Sequence, residues 1–470
     1  MIKLDDRLIQ ISRVNKKFSN WSKVFKCEPE LFFMVENEDD IIKIVELAKR
    51  YNKNVRAIGA GHSPSDLACT DGLMINTDNF NKIIEIDLEN KTVTVEAGIR
   101  LYKLNEELQK NGLALSNLGS ISEQSIAGAI STATHGSGIN FSNISSQVLG
   151  LTLLTASKGK INCSAEENED IFKASLCSIG ALGIILKVKI QCESAFKLES
   201  NQFPMRFNDI LNDLDSIIDS AEHVRFWYFP HTENCIIWKA NKTTKESKPQ
   251  EKNYFRNYII SYQLYQFLLY ISRYLPSMLP LLNQKMFNYN FSQEKQFIDD
   301  SYKQFNFDCL FPQYTSEWAI PLENTKEALE KLYDWINHNK ENVFVHFPVE
   351  IRFSDKDDIW LSPSYNRKVC YIGIIMYRPY DKPVPYKKLW AEFEKIMRSY
   401  GGRPHWAKAH TMTTIEFEKT YPKFKEFIKL QKSLDPNGIF LNSYLKRHLF
   451  DQTDLKFHNL RVFNIGPVLE

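Results

Sequence analysis

His62, Glu350, Arg352, His405 and Lys408 are the side chains whose types and settings in this 470-residue chain can do chemistry. His62 lies in the run Val55-Arg56-Ala57-Ile58-Gly59-Ala60-Gly61-His62-Ser63-Pro64-Ser65-Asp66. There a short apolar strand enters a Gly-x-Gly turn that delivers an imidazole followed by small hydroxyl residues. Glycines lack a Cβ, so backbone N–H groups can converge on an anion there. Many ordinary strand-to-loop turns share one Gly-x-Gly. The second small-residue segment, Gly119 to Gly138, makes the difference. Together the two can cradle one pyrophosphate-containing cofactor from both sides. Arg56, Gly59, Ala60, Gly61 and Ser63 would line the first loop, and Ser120, Ser122, Gln124, Gly128, Thr132, Thr134, His135 and Gly136 the second. Hydroxyls and backbone N–H groups satisfy phosphate oxygens without a metal. The plainer roles are turn chemistry for the hydroxyl residues and close strand packing for the glycines.

Glu350 and Arg352 stand at i and i+2, so in a strand they share a face. On an exposed strand such a pair is a solvated couple of little consequence. Here Val349, Ile351 and Phe353 alternate with them, which makes one face polar and the other core-facing. The third block is His405-Trp406-Ala407-Lys408. Its Trp406 suits a core, and His405 and His410 can be structural, with His405 the better candidate for the site.

These groups need elements to hold them. Asp39 or Asp40 is placed to cap a helix from about 41 to 51, with Ile41, Ile44, Val45 and Ala48 as its buried stripe. The strand 92–97 alternates cleanly, and a helix from Leu101 to Asn111 stops at Gly112. A strand from Ile184 to Ile190 closes this α+β nucleotide-binding region. The polar, lysine-rich run 239–253 reads as a surface loop. From about 196 to 395, strands rich in Phe, Tyr and Trp predict a second sheet covered by helices.

The net charge of +2 gives no electrostatic case for nucleic acid as a partner. Eight cysteines (Cys27, Cys69, Cys163, Cys177, Cys192, Cys235, Cys309, Cys370) are scattered without a CxxC pair, which predicts buried free thiols and no metal. Charges at Lys3, Asp5, Asp6 and Arg7 break any apolar start, so no secretory signal is expected and an intracellular setting is. The stretch from Asn257 to Ser272 is too short to span a membrane. Ile260, Leu264, Phe267, Leu268, Ile271 and Leu275 fall on one face of a helix there. That face either packs on the substrate domain or lies in a membrane interface, with Asn257 to Leu282 as the peripheral contact.

Five blocks stand in an order that resembles the vanillyl-alcohol oxidase superfamily and, within it, the aldonolactone oxidoreductases. They are Gly61-His62-Ser63-Pro64-Ser65-Asp66, Leu115-Ser116-Asn117-Leu118-Gly119, Pro348-Val349-Glu350-Ile351-Arg352-Phe353, Gly401-Gly402-Arg403-Pro404-His405-Trp406-Ala407-Lys408-Ala409-His410 and Leu434-Asp435-Pro436-Asn437-Gly438-Ile439-Phe440-Leu441-Asn442-Ser443-Tyr444-Leu445. The likeness covers nearly the whole chain. It implies an α+β, two-domain flavoprotein: a PCMH-type FAD-binding domain over 1–193, a substrate-binding cap over 194–398, and a segment 399–470 that returns to the FAD domain and lines the cleft. It also implies FAD bonded covalently through His62 to the flavin C8 methyl, since a neutral imidazole nitrogen is a competent nucleophile. A hydrogen-bonded turn histidine is the bland alternative. Ile184 joins the cofactor contacts on the same ground.

Animal members of this family associate with membranes, and the resemblance raises the interfacial option for the 257–282 stretch beside packing on the substrate domain. In related dehydrogenases the position of Gly119 carries Ala, which restricts oxygen, so Gly119 implies oxidase behaviour; a positive-φ turn is the structural alternative. Glu350 would accept from the substrate hydroxyl, Arg352 would stabilise reduced flavin or hold a lactone oxygen, and Lys408 would place charge near the flavin N1/C2 edge. The implied reaction oxidises an aldono-1,4-lactone at C2, foremost L-gulono-1,4-lactone, by hydride transfer to flavin N5. The 2-keto lactone enolises to ascorbate, and O2 is reduced to hydrogen peroxide. The base is Glu350, Lys408 or an ordered water. D-arabinono-1,4-lactone, L-galactono-1,4-lactone and an open-chain alditol are the alternative substrates. A noncatalytic flavoprotein would not need His62, Glu350, Arg352 and Lys408 together. An NAD-dependent dehydrogenase fails for want of a G-x-G-x-x-G opening a helix.

Overall fold

The computed structural model describes residues 2–250, 254–307 and 311–452. Near the N-terminus, the strands Leu31–Met34, Leu73–Asn76 and Val55–Ile58 run parallel, with Ser12–Arg13 antiparallel at the outer edge. The helix Glu38–Tyr51 joins the first of these to Val55–Ile58 and buries Ile41, Ile44, Val45 and Ala48. It begins earlier than the sequence suggests. Asn37 caps it, its side chain accepting from the Asp40 amide at 3.0 Å, while Asp40 is buried and pairs with Arg7 at 2.7 Å. Asn caps as well as Asp, and the paired Asp40 carboxylate is worth more inside than at the terminus.

An antiparallel sheet follows, in the order Gly159–Ser164, Val148–Thr155, Ile184–Gln191, Thr92–Glu96, Ile83–Asp87. The helix Leu101–Lys110 ends at Asn111, and Gly112 takes φ +70, as its position after the helix requires.

The third sheet has eight strands, all antiparallel, in the order Lys295–Asp300, Lys197–Arg206, Asn234–Thr243, His223–Tyr228, Val349–Ser354, Val369–Tyr377, Gln313–Pro321, Arg403–Pro404. Residues 239–243 belong to its strand Asn234–Thr243, paired with Lys197–Arg206, and not to a loop. The lysine ammonium groups lie over aromatic rings of the sheet: Lys242 Nζ sits 4.5 Å from the Phe196 ring and Lys239 Nζ 5.5 Å from Phe203. The helices Thr325–His338 and Lys387–Ser399 pack on each other, and the second rests on Gln313–Pro321.

The apolar stretch past residue 254 also departs from its expected form. Phe255–Leu264 winds with i→i+5 bonds before the α-helix Tyr265–Ser272, and Leu279–Phe291 follows. The wider turn rotates the register that a 3.6-residue period predicts. Leu269, Leu279 and Leu282 therefore form the buried face with Phe311 and Tyr377, whereas Leu264, Phe267 and Leu275 are exposed. Among the described residues, no helix is long and apolar enough to cross a membrane. Seven cysteines are free and buried; Cys309 lies outside the described residues.

Beyond Pro404 the chain returns to the N-terminal strands. Val55 N–H donates to Ile439 O at 2.7 Å, Asn442 Nδ2 donates to Leu67 O and Cys69 O at 2.8 and 2.9 Å, and Arg447 pairs with Asp66 at 2.9 Å. Asp435 holds the turn itself, its carboxylate accepting from Ile439 N and Phe440 N, both at 2.9 Å. The block around Asp435-Pro436-Asn437-Gly438 thus braces the loop that carries His62.

Candidate active site

Two clefts meet at His62 and Gln124, which line both. The first, about 960 Å³, is walled by Arg56, Gly59, Ala60, Gly61, Ser63, Gln124, Gly128, Thr132 and Ile184 from the residues singled out in the sequence. Gly59 has a packing reason as well: a Cβ there would run into Ser125. Gly61 takes φ +65 and turns the chain so that His62 faces the cleft. Ser122 and Gly136 line neither cleft. Ser122 instead gives its carbonyl to Tyr102 N at 2.9 Å, and a Cβ on Gly136 would strike Asn117.

The turn Ser178-Ile179-Gly180-Ala181-Leu182-Gly183 closes this cleft and was not anticipated, although its two glycines were a legible signal. Ile179 takes φ +49, a conformation β-branched residues rarely adopt. It is held there because its N–H donates to Ser131 O, and its carbonyl accepts from Arg56 Nη2, both at 2.8 Å. Arg56 is buried, and burial pushes its guanidinium down to about 10, so it stays cationic at neutral pH. Its Nε, the His62 Nδ1 and the Gln124 Oε1 are buried without a protein partner. A buried cation, free polar atoms and a glycine turn suit an elongated, phosphate-bearing cofactor such as FAD.

The His62 ring stacks on Trp21 at 5.3 Å with 18° between planes, and Trp21 N–H donates to Gly61 O at 2.8 Å. Burial, with Arg100 and Lys408 nearby, lowers the imidazole to about 4, which keeps it neutral at physiological pH.

The second cleft, about 760 Å³, has the face of the eight-stranded sheet as its floor. Gly119, Ser120, Thr134 and His135 line it from the N-terminal side, with Glu350, Arg352, His405 and Lys408 opposite. Val349–Ser354 is buried at all six positions, with apolar residues on one side and Glu350 and Arg352 on the other. Arg352 donates to both Ser120 Oγ and Glu350 Oε1. Gly119 does not take a positive φ; its alternative reading as a left-handed turn falls. What its missing Cβ permits is the approach of Thr134, whose methyl would lie 2.8 Å from it.

Two buried charged residues that pack against the site escaped the sequence reading. Arg225 pairs across strands with Arg352, donates to Ser120 Oγ at 3.5 Å, and stacks on Trp238 at 4.2 Å. Burial first, then Arg352, lowers it to about 9. Glu317 lies 3.4 Å from His135 Nε2 and 3.7 Å from Lys408 Nζ. Burial alone would raise its carboxyl, but His135 and Lys408 outweigh burial and hold it well below the usual range. Burial in turn lowers His405 to about 3. His135, Glu317 and His405 have ligand atoms within 4.8 Å of one another, yet Lys408 already supplies the positive charge a metal would bring. The signal for both was a charged residue alternating inward in an aromatic strand: Arg225 beside Trp227, and Glu317 beside Trp318. His410 lies elsewhere, 2.9 Å from the Tyr444 hydroxyl, and Trp406 is fully buried.

Comparison with known proteins adds the family. Residues 188–448 match the model of D-arabinono-1,4-lactone oxidase, and residues 29–164 match an FAD binding domain. The L-gulonolactone oxidase of Scyliorhinus torazame is 45% identical over 92% of this chain and 98% of its own. This chain belongs to the D-arabinono-1,4-lactone oxidase family. The L-gulonolactone oxidase of Bos taurus is a further relative, 43% identical over 92% of this chain and 98% of its own. The fold is shared with the cholesterol oxidase of B. sterolicum, TM-score 0.80 at 17% identity, over 94% of this chain and 98% of that one. The first cleft lies largely within the FAD-binding match, and the floor of the second lies within the oxidase match.

Proposed function

We propose that the chain is an FAD-dependent oxidase of aldono-1,4-lactones that converts L-gulono-1,4-lactone and O2 to ascorbate, through the 2-keto lactone, and hydrogen peroxide. The observation that carries this reading is the meeting of His62 with Glu350, Arg352 and Lys408 in one cleft, in a chain 45% identical to an L-gulonolactone oxidase. FAD held by Arg56, the turn 59–63 and Gln124 would supply the two-electron acceptor for the hydride from C2, with O2 as the final oxidant. The chain's residues do the rest. Glu350 gives one oxygen to Arg352 and keeps the other for the C2 hydroxyl. Arg352, fixed by Ser120, holds positive charge where electron density accumulates. Lys408, tied to Glu317, presents a second cation to the same cleft. D-arabinono-1,4-lactone is the second substrate reading, favoured by the name of the family matched.

His62 is the site of covalent attachment in this proposal. Its neutral ring, orphaned Nδ1 and stacking on Trp21 support the role, since an unprotonated and fixed nitrogen is what a nucleophile needs. A peripheral membrane contact is also proposed for 254–282. Tyr254, Phe255, Phe267, Tyr274, Leu275 and Leu281 are each about half exposed or more. Such aromatic and aliphatic side chains suit the lipid–water interface. Cosedimentation with phosphatidylcholine vesicles, lost on Phe267→Glu with Leu275→Glu, tests that contact.

Aerobic oxygen uptake tests the function. L-gulono-1,4-lactone should drive uptake and hydrogen peroxide formation faster than L-galactono-1,4-lactone, D-arabinono-1,4-lactone or xylitol. Preference for xylitol, or no uptake with any lactone, would refute the proposal.

A further inference from the structure

On the strand Gln313–Pro321, alternate residues share a side, and Gln313, Thr315 and Glu317 all line the second cleft. Their situations differ. Glu317 is committed to Lys408 and His135. Thr315 is 5% exposed and its hydroxyl has no hydrogen-bond partner within the protein. Its cross-strand neighbour Ile375 is apolar, offers none, and lines the same cleft. A buried hydroxyl in a cleft with nothing to bond is unfavourable unless a ligand group completes it. Gln313, two residues before it and 7% exposed, offers an amide beside it.

Both groups are neutral hydrogen-bonding groups, which suits hydroxyls rather than a carboxylate or phosphate. The charged groups all stand on the other side of Thr315, towards Glu317, Glu350 and Arg352. A lactone whose C2 sits at Glu350 and Arg352 would direct its exocyclic carbons away from them, along the strand towards Thr315. Resting on the aldonolactone reading above, we propose that Thr315, with Gln313 beside it, binds the exocyclic hydroxyls of the substrate and so selects lactones by the length of that tail.

The two candidate substrates make the test, since L-gulono-1,4-lactone carries an exocyclic diol and D-arabinono-1,4-lactone a single exocyclic hydroxymethyl. Thr315→Val removes the hydroxyl at nearly constant volume, and Thr315→Ser keeps it. Steady-state oxygen uptake is measured for both lactones with wild type and both variants, with thermal melting to confirm that each is folded. The ratio of kcat/KM for the gulono- over the arabinono-lactone should fall about tenfold in Thr315→Val, through KM rather than kcat, as expected for one hydrogen bond lost to a buried partner. Thr315→Ser should restore most of it. An unchanged ratio in Thr315→Val, or an equal fall in Thr315→Ser, overturns the proposal while the assigned function stands. Wild-type inactivity on both lactones overturns both.

Discussion

Glu350 and Glu317 stand in register on either side of Gly373, so two carboxylates look into one cleft across two strand spacings, roughly 10 Å. Each has its own cation: Arg352 for Glu350 and Lys408 for Glu317. Each carboxylate thus faces a cation of its own rather than the other carboxylate across the floor. Gly373 leaves that floor bare, and a ligand can lie on it between the two ion pairs.

Gly373 is therefore a place to block the cleft without unfolding the protein. A Cβ there would meet Glu317 atoms only at 3.6 to 3.8 Å, ordinary van der Waals contact. Gly373→Ala should melt within about 1 kcal/mol of wild type, because the backbone there is already extended. Gly373→Leu should also fold but raise KM for the lactone more than tenfold, since its side chain fills the floor. Steady-state kinetics and thermal melting check both, and a Leu variant with wild-type KM would place the substrate elsewhere.

Removing the Glu317 charge should cost activity and change the acid limit of stability. Glu317→Gln leaves Lys408 and His135 without their counter-charge, a loss of about 3 kcal/mol for a buried pair. The folded carboxyl sits well below its ordinary value, so its contribution is present above the unfolded carboxylate pKa, about 4.3, and disappears as pH falls through the folded value. Wild type should therefore lose melting temperature on acidification below about pH 4.3, and Glu317→Gln should lose less over the same window. Parallel acid profiles in the two proteins would sink the assignment, as would undiminished turnover.

Much of this site was legible in the chain because its pieces are local. The run from Val55 to Asp66 carries its own strand, turn and histidine, and Glu350 with Arg352 carries its own alternation. Arg225 and Glu317 were not legible, because what brings them to the site is register: Arg225 meets Arg352 and Glu317 meets Gly373 only once strands far apart in sequence are paired. The same limit explains the stretch after residue 254. Its apolar spacing fits a 3.6-residue helix, but the i→i+5 winding of Phe255–Leu264 turns Leu264 and Phe267 outwards. Within that winding Tyr262 stacks on Phe311 at 4.8 Å, a distant contact that no local pattern records.

His62 offers a direct reading of cofactor attachment. Wild-type protein should give a yellow band, fluorescent under ultraviolet light, after denaturing electrophoresis, and His62→Ala should give none while still binding FAD before denaturation. Burial sets the ring at about 4, below the ordinary 6.5, so the neutral form dominates at physiological pH. The stability this neutral burial brings is complete above pH 6.5 and fades as pH falls from there towards 4. In the FAD-free protein, where the ring carries no bond, His62→Ala should therefore flatten the pH dependence of melting across that window. A dark wild-type band would mean that FAD is held without a bond.

Gly119 tests the choice of electron acceptor. It lines the second cleft next to Ser120, and its missing Cβ lets the Thr134 methyl close in. Gly119→Ala puts a methyl 2.8 Å from that group, so Thr134 must shift, and Thr134 also lines the cleft. Small molecules reach a buried site through such gaps, and a crowded gap hinders oxygen more than it hinders electron transfer to an external dye. Gly119→Ala should lower lactone-driven oxygen uptake at least tenfold while turnover with an artificial acceptor falls less than twofold. Stopped-flow reoxidation by O2 would place the loss in the oxidative half-reaction. If both acceptors lose equally, the shift of Thr134 has disturbed lactone binding, and Gly119 serves packing alone.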